Sequence, residues 1–140
     1  MSKRPGPLLL AETFGDLVAA SLALRLRSFE AIVSGRDAPA NLPQVAPHDA
    51  VMLERALKAW NRRLPWRTLC FEQGLAAERW LRRRGLASRL HYGAAGRGEG
   101  PVAHVWVTSG TVPVVGCEQA GEFVELAQFP HAEAPQSREN

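Results

Sequence analysis

The hydrophobic pattern of the chain changes at residues 68–85, which read TLCFEQGLAAERWLRRRG. Thr68 is a suitable N-cap, and the apolar spacing after it predicts a helix from about Leu69 to Arg84. Gly85 ends this helix, because glycine readily adopts the left-handed conformation found at helix C-termini. Beyond it, the apolar residues alternate as they do in β-strands. The stretch therefore separates a helical half of the chain from a strand half.

The strand half is predicted to contain short strands joined by glycine-containing turns. A Gly-rich loop is expected over Gly93–Gly100. Pro113 places its strand at a sheet edge, because proline donates no ladder hydrogen bond. Helices that precede strands indicate an α+β fold with an antiparallel sheet. The predicted strands are Leu86–Tyr92, Ala103–Thr108, Thr111–Val115 and Glu122–Gln128.

The helical half is predicted to begin with one long amphipathic helix, because apolar residues recur every three or four positions over Leu8–Val33. Residues 36–47 contain three prolines and form a linker. Pro47-His48-Asp49 suits the first turn of a second helix. We expect one structural domain, divided into an N-terminal helix and linker (1–47), a core (48–130) and a flexible tail (131–140).

The composition is that of one globular domain. The chain has 140 residues, 46% hydrophobic and 22% charged, which excludes a disordered or collagen-like protein. The net charge of +3 permits an anionic partner without requiring one. The run Arg82-Arg83-Arg84 ends a predicted helix, where the dipole favours cations, and no nucleic-acid-binding motif accompanies it. We therefore expect no nucleic-acid partner.

The N-terminus and the cysteines indicate a cytoplasmic protein. Glu12 and Asp16 interrupt the apolar segment near the N-terminus, which lacks the layout of a cleaved signal. The longest uncharged stretch there, Leu17–Leu24, is too short to span a bilayer, so we expect no membrane insertion. Cys70 and Cys117 are then expected to be reduced thiols.

Cys70 and His104 are the candidate catalytic pair. Cys70 falls at the start of a predicted helix, where free backbone N–H groups and the dipole lower the pKa of a thiol. His104 falls inside a strand, which would mount an imidazole rigidly as general base and acid. Alternation puts His104 and Trp106 on one face of that strand and Val105 on the other. Each candidate alone is more often structural, and sequence spacing does not bring the two together.

The sequence offers no metal or cofactor motif. A zinc site from Cys70, Cys117, His91 and His104 would need ligands paired at short spacing, as in C-x-x-C, and these residues are not so paired. We therefore expect neither a metal ion nor another cofactor.

Three segments together resemble the transglutaminase-like leader peptidases of lasso-peptide biosynthesis. They combine an arginine three residues before the cysteine, an arginine-rich helix end closed by glycine, a strand ending in glycine and a His-x-Trp strand. The resemblance covers roughly Leu53–Phe129, which is most of the chain. The three segments are Leu64–Cys70, Leu81–Gly93 and Ala103–Val107.

This resemblance implies a transglutaminase- or papain-like core. The helix bearing Cys70 would pack on a small antiparallel sheet bearing His104, preceded by N-terminal helices. The implied activity is that of a cysteine peptidase that cuts the leader from a ribosomally made precursor, with Cys70 as nucleophile and His104 as base and acid. The implied partners are the precursor, a leader-recognition protein and a separate ATP-dependent cyclase.

The third catalytic residue is where this sequence departs from the family pattern. The family typically carries an Asp at the end of the next strand to orient the imidazole. Here Cys117 falls at that position and Glu118 is the nearest carboxylate, so Glu118 is the candidate orienting residue. The alternatives are a Cys–His dyad oriented by a backbone or amide carbonyl, or a weakened or inactive homologue. A non-catalytic scaffold that presents the precursor to the cyclase is the alternative function.

Overall fold

The computed structural model describes residues 4–34, 41–64, 70–97 and 100–129. Within these ranges the helices precede the strands, as the sequence predicts for an α+β fold. The predicted tail 131–140 lies outside the described residues. The helices are α1 (Pro7–Leu26), α2 (Phe29–Val33), α3 (Pro47–Arg63) and α4 (Cys70–Arg83), the strands are β1 (Arg89–Arg97), β2 (Gly100–Ser109), β3 (Val112–Val115) and β4 (Val124–Phe129), and a 3-10 helix covers Cys117–Glu122.

The strands form an antiparallel sheet in the order β3-β2-β1-β4. Pro113 lies on β3, so its predicted place on an edge strand is confirmed. The Gly-rich loop predicted over Gly93–Gly100 is wrong, because β1 and β2 pair as far as Arg97 and Gly100. Gly93 belongs to the ladder, and a Cβ on it would lie 3.0 Å from the Trp106 ring. Because Gly93 has no side chain, it leaves room for the Trp106 ring, and it does not mark a turn.

The long helix predicted over Leu8–Val33 is instead two helices. Helix α1 ends at Leu26, and Ser28 becomes the N-cap of α2. The Ser28 hydroxyl accepts a hydrogen bond from the Ala31 N–H at 3.1 Å. A serine that satisfies a backbone N–H in this way starts a new helix, although the apolar spacing continues across it.

Helix α4 packs on the face of β2 that carries Val105 and Val107. Gly74 permits the close approach, because a Cβ there would lie 2.7 Å from Val105 Cγ1. This contact holds the N-terminal half of α4 against β2. Side chains with no exposed area close the core between the helices and the sheet, among them Leu17, Val33, Leu53, Leu57, Leu81 and Leu90.

Ion pairs hold α1 on the end of α4. Asp16 is 1% exposed and its carboxylate binds the Arg83 guanidinium, with Arg83 Nη2 3.2 Å from Oδ2. One turn earlier, Glu12 accepts hydrogen bonds from Arg84 at 2.7 Å and from Trp80 Nε1 at 3.1 Å. Two arginines of the basic run are therefore committed to carboxylates of α1.

Helix α1 is long and apolar enough, by length and composition, to cross a membrane. Core helices and N-terminal signal sequences have the same properties, and no other helix of the described residues does. The helix is longer than the uncharged stretch Leu17–Leu24, because it continues through Glu12 and Asp16 on one side and Arg25 on the other. Its buried Asp16 and its packing on α3 and α4 are compatible with a soluble protein. The cytoplasmic location stays a prediction.

Arg83→Ala is expected to lower the free energy of unfolding by about 2–3 kcal/mol, because it leaves the Asp16 carboxylate buried with one remaining partner. That partner is Arg79, whose Nε lies 3.3 Å from Asp16 Oδ1. Arg82→Ala removes an exposed arginine of the same helical turn and is expected to change stability by about 0.5 kcal/mol or less. Urea unfolding measures both variants, and equal small changes would contradict a stabilising role for the pair.

Candidate functional site

Cys70 is the first residue of α4, as the sequence predicts, and it lies against the backbone of β2. Its side chain is partly buried and hydrogen-bonded to the backbone of Val105. Val105 follows His104 directly, so the thiol contacts the strand one residue from the candidate base. Thr68, the predicted N-cap, lies outside the described residues.

Burial raises the pKa of the Cys70 thiol above its ordinary value. Hydrogen bonds from the backbone of Val105, and from the N–H groups of Cys70 and Phe71, oppose this rise without cancelling it, and the nearby charge of Glu72 adds to it. The sequence predicted a lowered pKa, because it shows that Cys70 begins a helix. It does not show that the thiol loses solvation against β2, and this burial raises the pKa. The thiol is therefore mainly protonated at neutral pH and needs a base to become a nucleophile.

In a Cys117→Ser variant, alkylation of Cys70 by iodoacetamide is expected to have a pH midpoint above about 8.5, the value of an unperturbed thiol. The thiolate is the reactive form, so a raised pKa makes alkylation slower near neutral pH. The same variant unfolded in urea is the control, and its midpoint is expected to return to the ordinary value. A folded-state midpoint below the unfolded one would contradict the dominance of burial.

A backbone carbonyl fixes His104, on the face of β2 opposite α4. The residue is 6% exposed, and its Nε2 lies 2.9 Å from the Gly116 carbonyl oxygen. A carbonyl oxygen only accepts hydrogen bonds, so Nε2 carries the proton and Nδ1 is the unprotonated nitrogen of the neutral ring. Trp106 and Phe123 stack on the imidazole, with ring centroids 5.8 and 5.0 Å away. The orientation and the tautomer both leave Nδ1 as the basic nitrogen.

Gly116 belongs to the candidate site, and the sequence analysis did not select it. Its φ is +76°, and a Cβ would lie 2.9 Å from the Val105 carbonyl oxygen and 3.3 Å from His104 Nε2. Both the conformation and the space favour glycine at this position. In the sequence, Gly116 is only a turn signal, because its contribution to the site is a main-chain carbonyl. The available signal is its place at the end of the strand that pairs with the histidine strand.

Glu118, the predicted orienting residue, is paired with α3. Its carboxylate lies 3.1 Å from Lys58 Nζ, and its side chain is 60% exposed. Its own backbone N–H and then Lys58 hold the pKa of Glu118 below its ordinary value. The structure does not join this carboxylate to His104 by a hydrogen bond. Cys117, at the expected Asp position, has its Sγ 3.2 Å from the Val107 carbonyl oxygen.

A comparison with protein-family models matches residues 16–128 to the transglutaminase-like superfamily. The chain belongs to this superfamily. The α+β fold predicted from the sequence is therefore confirmed, and the superfamily includes cysteine peptidases. Searches of curated proteins and of solved structures found no match.

In this transglutaminase-like domain the candidate groups approach one short segment of β2. Strand β3 pairs with β2 only between Val107 and Ser109, so residues 104–105 lie beyond the end of that ladder. There the Cys70 thiol is hydrogen-bonded to the Val105 backbone, and His104 Nε2 is hydrogen-bonded to the Gly116 carbonyl oxygen. The described hydrogen bonds do not join thiol and imidazole directly, because Cys70 approaches β2 from the α4 face and the His104 side chain lies on the other face. The proton transfer between them requires the two groups to meet at the edge of β2 that β3 leaves open, and such a pair often closes only when substrate binds.

A second histidine, His91, stacks on Trp106, the same ring that contacts the His104 imidazole. The His91 ring is parallel to Trp106 at 5.4 Å, and its Nε2 lies 2.9 Å from Thr108 Oγ1. Trp106 is thus held between the rings of His91 and His104.

Across the described ranges, no group of three or more His, Cys, Asp or Glu is placed to hold a metal ion. The groups that the site presents are a thiol and an oriented imidazole.

Proposed function

We propose that this protein is a cysteine peptidase that removes the leader from a lasso-peptide precursor, with Cys70 as nucleophile and His104 as base and acid. The observation that carries the proposal is the His104 imidazole, oriented by the Gly116 carbonyl beside the contact between Cys70 and the β2 backbone. Membership of the transglutaminase-like superfamily supports the peptidase chemistry. The motif resemblance over residues 64–107 supports the lasso-peptide substrate.

In the first half-reaction, Nδ1 of His104 takes the Sγ proton while Sγ of Cys70 attacks the scissile carbonyl carbon. The backbone N–H of Cys70, at the start of α4, donates to the developing oxyanion. The intermediate collapses as the imidazolium gives its proton to the leaving amine. The released amine is the N-terminus of the core peptide, and the leader remains bound to Cys70 as a thioester.

In the second half-reaction, Nδ1 of His104 takes a proton from water as the water oxygen attacks the thioester carbonyl. Sγ leaves and recovers its proton from the imidazolium, which releases the leader as a carboxylic acid. Burial raises the pKa of the Cys70 thiol, so proton transfer to His104 accompanies each attack and no stable ion pair precedes it. The fixed tautomer of His104 supplies the base that this sequence requires.

Exposed apolar side chains on α1 support a partner protein. Leu22 and Leu26 are 54% and 81% exposed, whereas Leu17 of the same helix is fully buried. We assign the exposed part of α1 as a docking face for the leader-recognition protein, since such patches mark interaction sites. The chain alone is then expected to bind leader weakly. The freed amine of the core passes to the ATP-dependent cyclase.

The test first identifies a short precursor, which the proposal expects to be encoded beside this gene. That peptide is then incubated with the protein, and mass spectrometry measures the released leader and core. The protein with its recognition partner is expected to give both fragments, and to give them more slowly when the partner is left out. An intact precursor after incubation with all partners would reject the peptidase. Tight, sequence-specific leader binding by this chain alone would reject the need for a partner and leave the catalytic assignment in place.

A non-catalytic scaffold that presents the precursor to the cyclase is the second candidate. The observation that favours it is the orientation of His104 by a carbonyl, where the family pattern has a carboxylate. Lasso-peptide formation from full-length precursor separates the two functions. A scaffold retains its function in a Cys70→Ala variant, whereas a peptidase loses it.

A further inference from the structure

A groove of about 660 Å³ between the start of α1 and the outer side of α3 is lined mainly by cations. Its α3 residues recur at spacings of three and four, so they form one row along the helix. The floor is apolar and includes Leu10. The cations are Arg4, Arg55, Lys58, Arg62 and Arg63.

Carboxylates offset only part of this charge. Lys58 pairs with two glutamates, at 3.3 and 3.1 Å. Within the part of the chain that the structure describes, Arg4, Arg62 and Arg63 have no ion-pair partner. Lys58 and Arg62 are one helical turn apart, and like charges at that spacing repel each other. An anion bound in the groove would relieve this repulsion.

The groove is linked to the candidate catalytic site through Lys58. Lys58 binds Glu118, which lies two residues after the Gly116 that holds His104. At the end of the row, Arg63 is seven positions before Cys70, so the two lie within about 25 Å of each other. An extended peptide with its scissile bond at the thiol would therefore reach the groove within about eight residues.

We infer that this groove binds an acidic stretch of the peptide substrate, an inference that rests on the proposed peptidase function and deepens it. Arginine forks match carboxylates in charge and geometry, and Arg62 and Arg63, which have no ion-pair partner among the described residues, both line the end of the groove. Single-stranded nucleic acid is the other anionic polymer to consider, but its sites use aromatic side chains for stacking. None of the described lining residues is aromatic, and the apolar floor suits peptide side chains.

The test measures binding on the full chain carrying Cys70→Ala. The probe is a fluorescein-labelled peptide with a run of alternating Glu and Asp in a Gly/Ser background, compared with its uncharged Gln/Asn counterpart. Arg62→Glu with Arg63→Glu is expected to weaken binding of the acidic peptide on the order of tenfold and to leave the uncharged peptide unaffected. Arg25→Glu with Arg82→Glu is the matched control, since it makes the same charge change in the last turns of α1 and α4.

Because the readout is binding, its outcome does not depend on cleavage. Equal binding of the two peptides, or equal losses in the two double variants, would overturn the acidic-peptide groove. So would a single-stranded RNA oligonucleotide that displaces the acidic peptide from the groove. If binding depends on Arg62 and Arg63 while no precursor is cleaved, the peptidase proposal fails and the groove stands as an acidic-peptide site.

Discussion

Precursor cleavage is expected to disappear in Cys70→Ala while the fold is retained. Without Sγ no thioester forms, and the remaining groups provide no other nucleophile beside His104 in the proposed reaction. The thiol is only partly buried and its bond is to the Val105 backbone, so its loss is expected to cost about 1 kcal/mol or less of stability. Mass spectrometry of precursor incubated with the recognition protein measures cleavage, and urea unfolding checks the fold.

Cys117→Ala is the matched control for removing a thiol. Cys117 is also partly buried, and burial also raises its pKa, but its Sγ is turned toward the Val107 carbonyl oxygen. This variant is expected to cleave at the wild-type rate. Cleavage by Cys70→Ala near the wild-type rate, or an equal loss in the two variants, is incompatible with Cys70 as the nucleophile.

Local signals in the sequence predicted most of the helices and strands. Pro47 begins α3, Gly85 follows the end of α4 with φ +68°, and Pro113 lies on an edge strand. The break between α1 and α2 was not predicted, because the apolar spacing continues across Ser28 and only one capping hydrogen bond marks the change. Propensity and spacing thus find elements more reliably than they find interruptions of a continuing pattern.

Contacts between distant parts of the chain were harder to predict. In the sequence, the helix dipole alone explains the run Arg82-Arg83-Arg84. In the structure, Arg83 also binds the carboxylate of Asp16, which lies 67 residues earlier. Glu118 is a similar case, since its hydrogen-bond partner Lys58 lies 60 residues before it. In both cases the residue type is visible in the sequence, and the partner is set by how the helices pack.

The site shows the same division between side-chain chemistry and geometry. Cys70 and His104 were predicted because a thiol and an imidazole are recognisable by type. Gly116 was missed because it acts through a carbonyl that every residue has, and only the turn after β3 aims this one at Nε2. The sequence left open a dyad oriented by a carbonyl, and the structure supplies a carbonyl at hydrogen-bonding distance.

His104→Ala is expected to lower the rate of leader cleavage by about 10²–10⁴, the range typical of a lost general acid–base group. Its loss removes the base that takes the Sγ proton and the acid that protonates the leaving amine. Burial raises the pKa of the Cys70 thiol, so little thiolate exists to compensate at neutral pH. Single-turnover cleavage assays measure the effect, and a rate near that of the wild type would contradict the assignment of His104 as base.

Glu118→Gln is the matched variant that identifies what orients His104, and Cys117→Ser is its control. Glu118→Gln keeps the size of the side chain and removes its charge, and Lys58 retains its other carboxylate, Glu54. Both variants are expected to keep the wild-type rate, because Nε2 is bonded to Gly116 in either case. A loss clearly larger in Glu118→Gln would make Glu118 the orienting residue. A Cys–His dyad oriented by the Gly116 carbonyl predicts small and equal rate changes in these two variants and a large loss in His104→Ala. The reason is that a side-chain substitution at position 117 or 118 leaves the main-chain carbonyl of Gly116 in place.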